Sequence, residues 1–139
     1  MTMTPHQIEL VQSSFAKVVP IKDKAGELFY GRLFELDPSV KALFNVSITE
    51  QGRKLIQVVD VAVSRLSDPE TLVPTLEDLG RRHASYGVKA HHYDTVGAAL
   101  LWTLEQGLGA DFTPEVHKAW SETYELLADT MKGAVAEAA

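Results

Sequence analysis

Three features of the sequence predict an all-α fold. Apolar residues recur at helical spacing along the whole chain, as at Leu72, Leu76, Leu79 and His83, which step by four, three and four onto one helix face. No stretch alternates with the period of two that a strand needs. Proline follows a capping residue at Thr4-Pro5, Asp37-Pro38, Asp68-Pro69 and Thr113-Pro114, and each pair reads as a helix start. No repeat, linker or shift in composition divides the 139 residues, which are enough for one core. The expectation is a single domain of about seven helices over 1–139, with its core at about 7–131 and a fraying tail beyond.

The elements follow in order. Thr4-Pro5-His6-Gln7 forms a capping box for a first helix whose inner face carries Ile8, Val11, Phe15 and Val18; Pro20 stops it. A second helix over about 22–36 turns Leu28, Phe29, Leu33, Leu36 and Tyr30 inward. Asp37-Pro38 starts a short third helix that ends near Phe44-Asn45. Ser47-Ile48-Thr49-Glu50 is a second capping box, opening a helix to about Leu66 with Leu55, Ile56, Val58, Val59, Ala62 and Val63. Asp68-Pro69-Glu70 begins the helix of His83, and Gly87-Val88 closes it. A corner over 88–92 leads to a helix over about 93–108. The last helix starts at Thr113-Pro114 and carries Val116, Trp120, Tyr124, Leu127, Ala128 and Met131.

Composition narrows the function. A net charge of −6 without a basic cluster predicts no nucleic-acid partner. No apolar run approaches the ~20 residues of a membrane span. The start, MTMTPHQIEL, has neither the basic nor the apolar region of a signal peptide, so a cytoplasmic location is expected. Cysteine is absent, which removes thiolate nucleophiles and Cys-ligated metal sites. The five histidines (His6, His83, His91, His92, His117) include no pair four apart, so there is no HExxH-type zinc motif, and no repeated Glu-x-x-His marks a di-iron bundle.

What remains is an imidazole that extends an apolar stripe. His83 is either a core histidine bonded to a carbonyl or a ligand to a metal or haem iron; taken alone, the first is the commoner outcome, since buried polar groups usually find a partner. Gln51 and Leu55 share a face at the start of the fourth helix. Tyr30 lies in an apolar run, and Phe44 ends the short helix. Each is ordinary by itself: a solvated glutamine, a core tyrosine with its hydroxyl at the edge, a core plug.

Taken together and in order, the segments resemble a bacterial single-domain globin of the flavohaemoglobin-like or neuroglobin-like kind, closest to those of methane-oxidising and thermophilic bacteria that pair a distal tyrosine with a distal glutamine. The matching pieces are Leu28-Phe29-Tyr30-Gly31-Arg32-Leu33-Phe34, Asp37-Pro38-Ser39-Val40-Lys41-Ala42-Leu43-Phe44, Gln51-Gly52-Arg53-Lys54-Leu55, Leu79-Gly80-Arg81-Arg82-His83, Tyr86-Gly87-Val88 through His92-Tyr93, and Trp120 with Tyr124. The resemblance implies haem b, held by His83 as the proximal ligand. It implies Tyr30, Gln51 and Leu55 over the ligand side, and Phe44 against the macrocycle. Arg53, Lys54, Arg82, Val88, His92, Tyr93 and Val96 are then further haem contacts, Lys54 at a position that often pairs with a propionate. His91 and His117 are expected to be solvated.

The implied function is O₂ binding, storage or scavenging, with NO and CO as further ligands. With glutamine opposite His83, the sixth position lacks a strong internal ligand, and a five-coordinate ferrous iron is expected. Tyr30 and Gln51 can each donate one hydrogen bond to a ligand with partial negative charge. At ~1.5–3 kcal/mol each, two such bonds slow release by roughly a hundredfold or more. The alternative is a nitric oxide dioxygenase or weak peroxidase served by a separate reductase. One departure limits that alternative: the glutamate that joins Tyr93 and the proximal histidine in flavohaemoglobins falls near Val135, and Glu137 is two residues away. A haem-free regulatory module, a third class, is disfavoured by the presence of His83.

Overall fold

The computed structural model describes residues 3–43, 47–85 and 87–138, leaving aside the side chains of 43 and 135–138. The order is α1 (Pro5–Val18), a 3₁₀ turn (Val19–Ile21), α2 (Lys22–Leu36), a 3₁₀ helix (Pro38–Leu43), α3 (Ile48–Ser64), α4 (Pro69–Ser85), α5 (Ala90–Leu108), a 3₁₀ turn (Gly109–Asp111) and α6 (Pro114–Ala138). The short third helix of the sequence is thus a 3₁₀ helix, and with the six α-helices it makes seven principal segments. No strand occurs among the described residues, and no helix is long and apolar enough to cross a membrane.

The caps explain the starts. Thr4 Oγ1 accepts from the Gln7 amide at 3.1 Å while Gln7 Oε1 accepts from the Thr4 amide at 3.0 Å, a reciprocal box. Ser47 Oγ accepts from the Glu50 amide at 3.2 Å and Thr113 Oγ1 from the Val116 amide at 3.3 Å. Each side-chain cap satisfies an otherwise orphaned N–H and is worth ~1 kcal/mol. At the other end of α4, Gly87 has φ +92°. Its N–H donates to Ala84 at 3.1 Å, and that of Val88 to the His83 carbonyl at 3.1 Å. This pairing is a Schellman stop, and a residue with a Cβ would be strained at 87.

Two boundaries differ from the sequence reading. Helix α5 starts at Ala90, not near Tyr93. The His92 ring accepts from the Lys89 amide at 2.8 Å and so caps a helix that would otherwise begin a turn later. Helix α6 continues to Ala138; alanine is the strongest helix former, and Ala134, at 2 % exposure, is packed inside.

Two close crossings set the frame. α2 meets α3 at Gly26 and Gly52, where a Cβ on Gly26 would stand 2.7 Å from the Gly52 Cα. α4 meets α6 at Gly80, where a Cβ would stand 2.8 Å from the Met131 Cα. Trp120 of α6, 1 % exposed, donates from Nε1 to Ser14 Oγ of α1 at 2.8 Å, so its one polar atom is partnered inside the core. The glycine crossings hold α4 against α6 and α2 against α3, and all four helices border one interior space.

Candidate functional site

That space is a mostly apolar cavity of about 140 Å³. Phe29 comes from α2, Leu55, Val58, Val59 and Ala62 from α3, and Leu76, Leu79 and His83 from α4. Val88 follows α4, Tyr93, Val96 and Leu100 line it from α5, and Tyr124, Leu127, Ala128 and Met131 from α6. The lining is mostly apolar with a few polar groups, as small-molecule sites are, while the space itself is smaller than such sites usually offer. A groove on the outside between α3 and α4 shares Val58, Ala62, Leu76 and Leu79 with the cavity and ends at Arg82. The cavity and the groove have those side chains as a common wall.

His83 is the one histidine among the lining residues. Its Nδ1–H donates to the Leu79 carbonyl one turn earlier, at 2.8 Å. That bond fixes the tautomer and leaves Nε2 with its lone pair. No described residue hydrogen-bonds Nε2, and it is not sealed off as a buried orphan atom. Burial pushes the pKa of His83 below its ordinary value; the bond to Leu79 opposes this, and the charge of Arg82 adds to the lowering. The result is a neutral imidazole suited to ligation.

Tyr30 is 5 % exposed. Burial raises its pKa to about 12, and a hydrogen bond with Gln51 pulls the other way. A side-chain hydrogen bond thus joins Tyr30 to Gln51. Phe29 braces the Tyr30 ring edge-on at 4.9 Å, and Phe34 lies at 6.0 Å. Tyr30 and Gln51 are not among the lining residues; Phe29, next to Tyr30, and Leu55, one turn after Gln51, form the wall.

Of the residues singled out in the sequence, Leu55, His83, Val88, Tyr93 and Val96 come together around one cavity, and Tyr30 and Gln51 pair with each other. Phe44 lies outside the described residues, as do Tyr86 and the side chains of Val135 and Glu137. Four of the expected haem contacts stand away from the cavity wall. Arg53 is exposed and pairs with Asp23 at 3.1 Å, because two residues from Leu55 is some 200° around the helix. His92 turns to its Lys89 cap and to Asp37 and His91, not to the cavity; Tyr93, one step on, takes the inward place. Lys54 is exposed and does not line the cavity. Arg82 pairs with Asp78 at 3.0 Å and reaches only the outer groove.

Tyr124 is a lining residue the sequence reading left without a role. Its hydroxyl donates to the Tyr93 carbonyl at 2.6 Å, joining α6 to α5 behind the cavity. Burial raises its pKa, with Tyr93 and Asp94 adding to the effect. Its spacing with Leu127, Ala128 and Met131 on one face of α6 is the signal that marks all of them as one wall. Burial likewise raises the pKa of Tyr93, whose ring faces the Lys132 ammonium at 5.8 Å.

An all-helical domain with one free imidazole nitrogen in an apolar slot defines a haem-protein type of site. The model of the family described as Globin matches residues 27–131. The chain is 35 % identical over 112 residues to a flavohemoprotein of Rhizobium meliloti, covering 78 % of this chain and 28 % of that one. It is 33 % identical over 132 residues to a flavohemoprotein of Chromobacterium violaceum, covering 90 % and 33 %. It is 32 % identical over 136 residues to a neuroglobin of Danio rerio, covering 88 % and 86 %. The chain belongs to the globin family. It spans about a third or less of the length of the two flavohemoproteins.

The family implies haem, and the residues present fit it. The donor is a neutral imidazole with its second nitrogen anchored, the arrangement metal-bound histidines use. The walls are apolar, with Arg82 at the outer groove and the Lys132 ammonium against the Tyr93 ring.

Proposed function

We propose that this chain is a globin that binds haem b through His83 and uses it to bind O₂, with NO and CO as competing ligands. Haem supplies the iron at which a diatomic gas is held. The chain does the rest. Leu79 holds the His83 ring so that Nε2 faces the slot. The walls from α3, α5 and α6 keep water out. Tyr30, held by Gln51, supplies a hydroxyl proton for a ligand with partial negative charge. Lys54 and Arg82 are the cations on the helices flanking the slot that can face propionates.

The observation that carries this reading is the free Nε2 of His83 in an apolar cavity within a globin chain. Retention follows from Tyr30: one hydrogen bond to a charged acceptor at ~1.5–3 kcal/mol slows release by about ten- to a hundredfold. Stopped-flow O₂ release from Tyr30→Phe should be faster by that factor. Gln51→Leu should give a smaller increase, because it acts by orienting Tyr30. Off-rates equal to that of the parent protein in both variants would contradict the proposed role of the pair.

Reaction of held O₂ with NO is the second reading, favoured by the flavohemoprotein relatives. It requires an electron donor, assigned here to a separate reductase.

A further inference from the structure

We propose that Asp37, His91 and His92 form a second, surface metal site for a borderline divalent transition ion of the zinc class. One ligand atom from each residue lies within 4.8 Å of the other two. They come from two elements: Asp37 directly precedes the 3₁₀ helix Pro38–Leu43, and both histidines sit in the first turn of α5.

Zinc binds imidazole nitrogen and carboxylate oxygen at about 2.0–2.2 Å, so tetrahedral ligand atoms are roughly 3.3–3.5 Å apart. The gap to close is about an ångström or so, within reach of side-chain rotation. Asp37 is partly exposed, His91 is exposed and His92 is buried, at 9 % exposure. Two imidazoles and a carboxylate select zinc, copper or nickel over magnesium or calcium.

The Asp37 carboxylate is half committed. Ser39 donates to its Oδ1 from the amide at 3.1 Å and from Oγ at 2.5 Å, while Oδ2 has no hydrogen bond among the described residues. Those bonds to Ser39 also hold its pKa below the ordinary carboxylate value, so it is ionised. The rings of His91 and His92 are 4.2 Å apart between centroids and tilted by 52°, so they do not stack flat.

Two effects oppose the ion and weaken its hold. The positive end of α5 repels a cation, which the Asp37 carboxylate offsets. His92 Nδ1 accepts from the Lys89 amide, so its proton sits on Nε2. Ligation through Nδ1 displaces that N–H; ligation through Nε2 moves the proton to Nδ1 and breaks the same bond. Either way the Lys89 amide must lose its partner when the ion binds. The cavity takes no part in the site, so its failure would leave the haem reading untouched.

The test is zinc titration of the purified protein, with haem content measured, against a chromophoric chelator and by amide NMR. One zinc per chain is expected, with the Lys89 amide among the resonances that shift. Loss of a direct ligand should weaken binding at least tenfold or so, since even outer partners are worth that much. His91→Ala, at an exposed position, should show this without change in haem content, and Asp37→Asn should follow it. No binding in the micromolar range, unchanged affinity in His91→Ala, or an unmoved Lys89 amide would each overturn the proposal.

Discussion

His83 and His92 are nine residues apart, and both engage Nδ1 with the backbone, yet they hold opposite tautomers. His83 stands in the last turn of α4, where the nearest backbone group is a carbonyl, so Nδ1 carries the proton and Nε2 is a bare lone pair. His92 stands in the first turn of α5, where the group on offer is an N–H, so Nδ1 accepts and Nε2 is protonated. The end of the helix decides which nitrogen can take a metal without breaking anything. Burial lowers the pKa of both rings, so charge does not separate them. The difference is that one is ready to ligate and the other must first give up a cap.

Removing each ring tests that contrast, and the largest effect falls on His83. His83→Gly should release haem at least a hundredfold or so faster, given that outer partners alone are worth ten- to a hundredfold. Added imidazole should restore retention in part. A rate of haem transfer to an apoglobin scavenger equal to that of the parent would show that another residue holds the iron. Next is the frame behind the ring. Gly80→Ala puts a methyl 2.8 Å from the Met131 Cα. It should cost about 1–3 kcal/mol in denaturant unfolding, the usual range for overpacking. Unchanged stability would mean that α4 and α6 are not held that close.

On the other histidine the effect is small. His92→Ala removes only one capping bond and should lower stability by ~0.5–1 kcal/mol, with haem content retained. A variant that loses haem would return His92 to the pocket.

The smallest effect is read at high pH. Tyr30 is raised from 10.0 to about 12, so its neutral form is favoured in the folded chain. Its contribution to stability is therefore complete below pH 10 and is lost as pH rises towards 12. Tyrosinate absorbance should lose a late step in Tyr30→Phe, and in Gln51→Leu that step should move higher. A Tyr30 step at the ordinary value would mean that the hydroxyl is solvated.

The sequence made His83 visible because its stripe has the 3.6-residue period, and Gly87 marked the end of α4. It made the Thr4, Ser47 and Thr113 starts visible because capping is local chemistry. The pairing of Arg53 with Asp23 was not legible for the converse reason: a matched segment fixes neighbours in sequence, while the helix turns neighbours apart in space. The bond of His92 to the Lys89 amide was not legible because a histidine side chain is not an expected cap. Tyr124 and its wall on α6 were legible as core but not as cavity, since only tertiary packing opens a space between apolar faces.

The visible spectrum of the ferrous protein, free of added gas, bears most directly on the claim that His83 alone ligates from the chain. A five-coordinate high-spin spectrum that becomes six-coordinate on adding CO is the result expected. A six-coordinate low-spin spectrum before any gas is added, or protein that stays colourless with hemin, would contradict it.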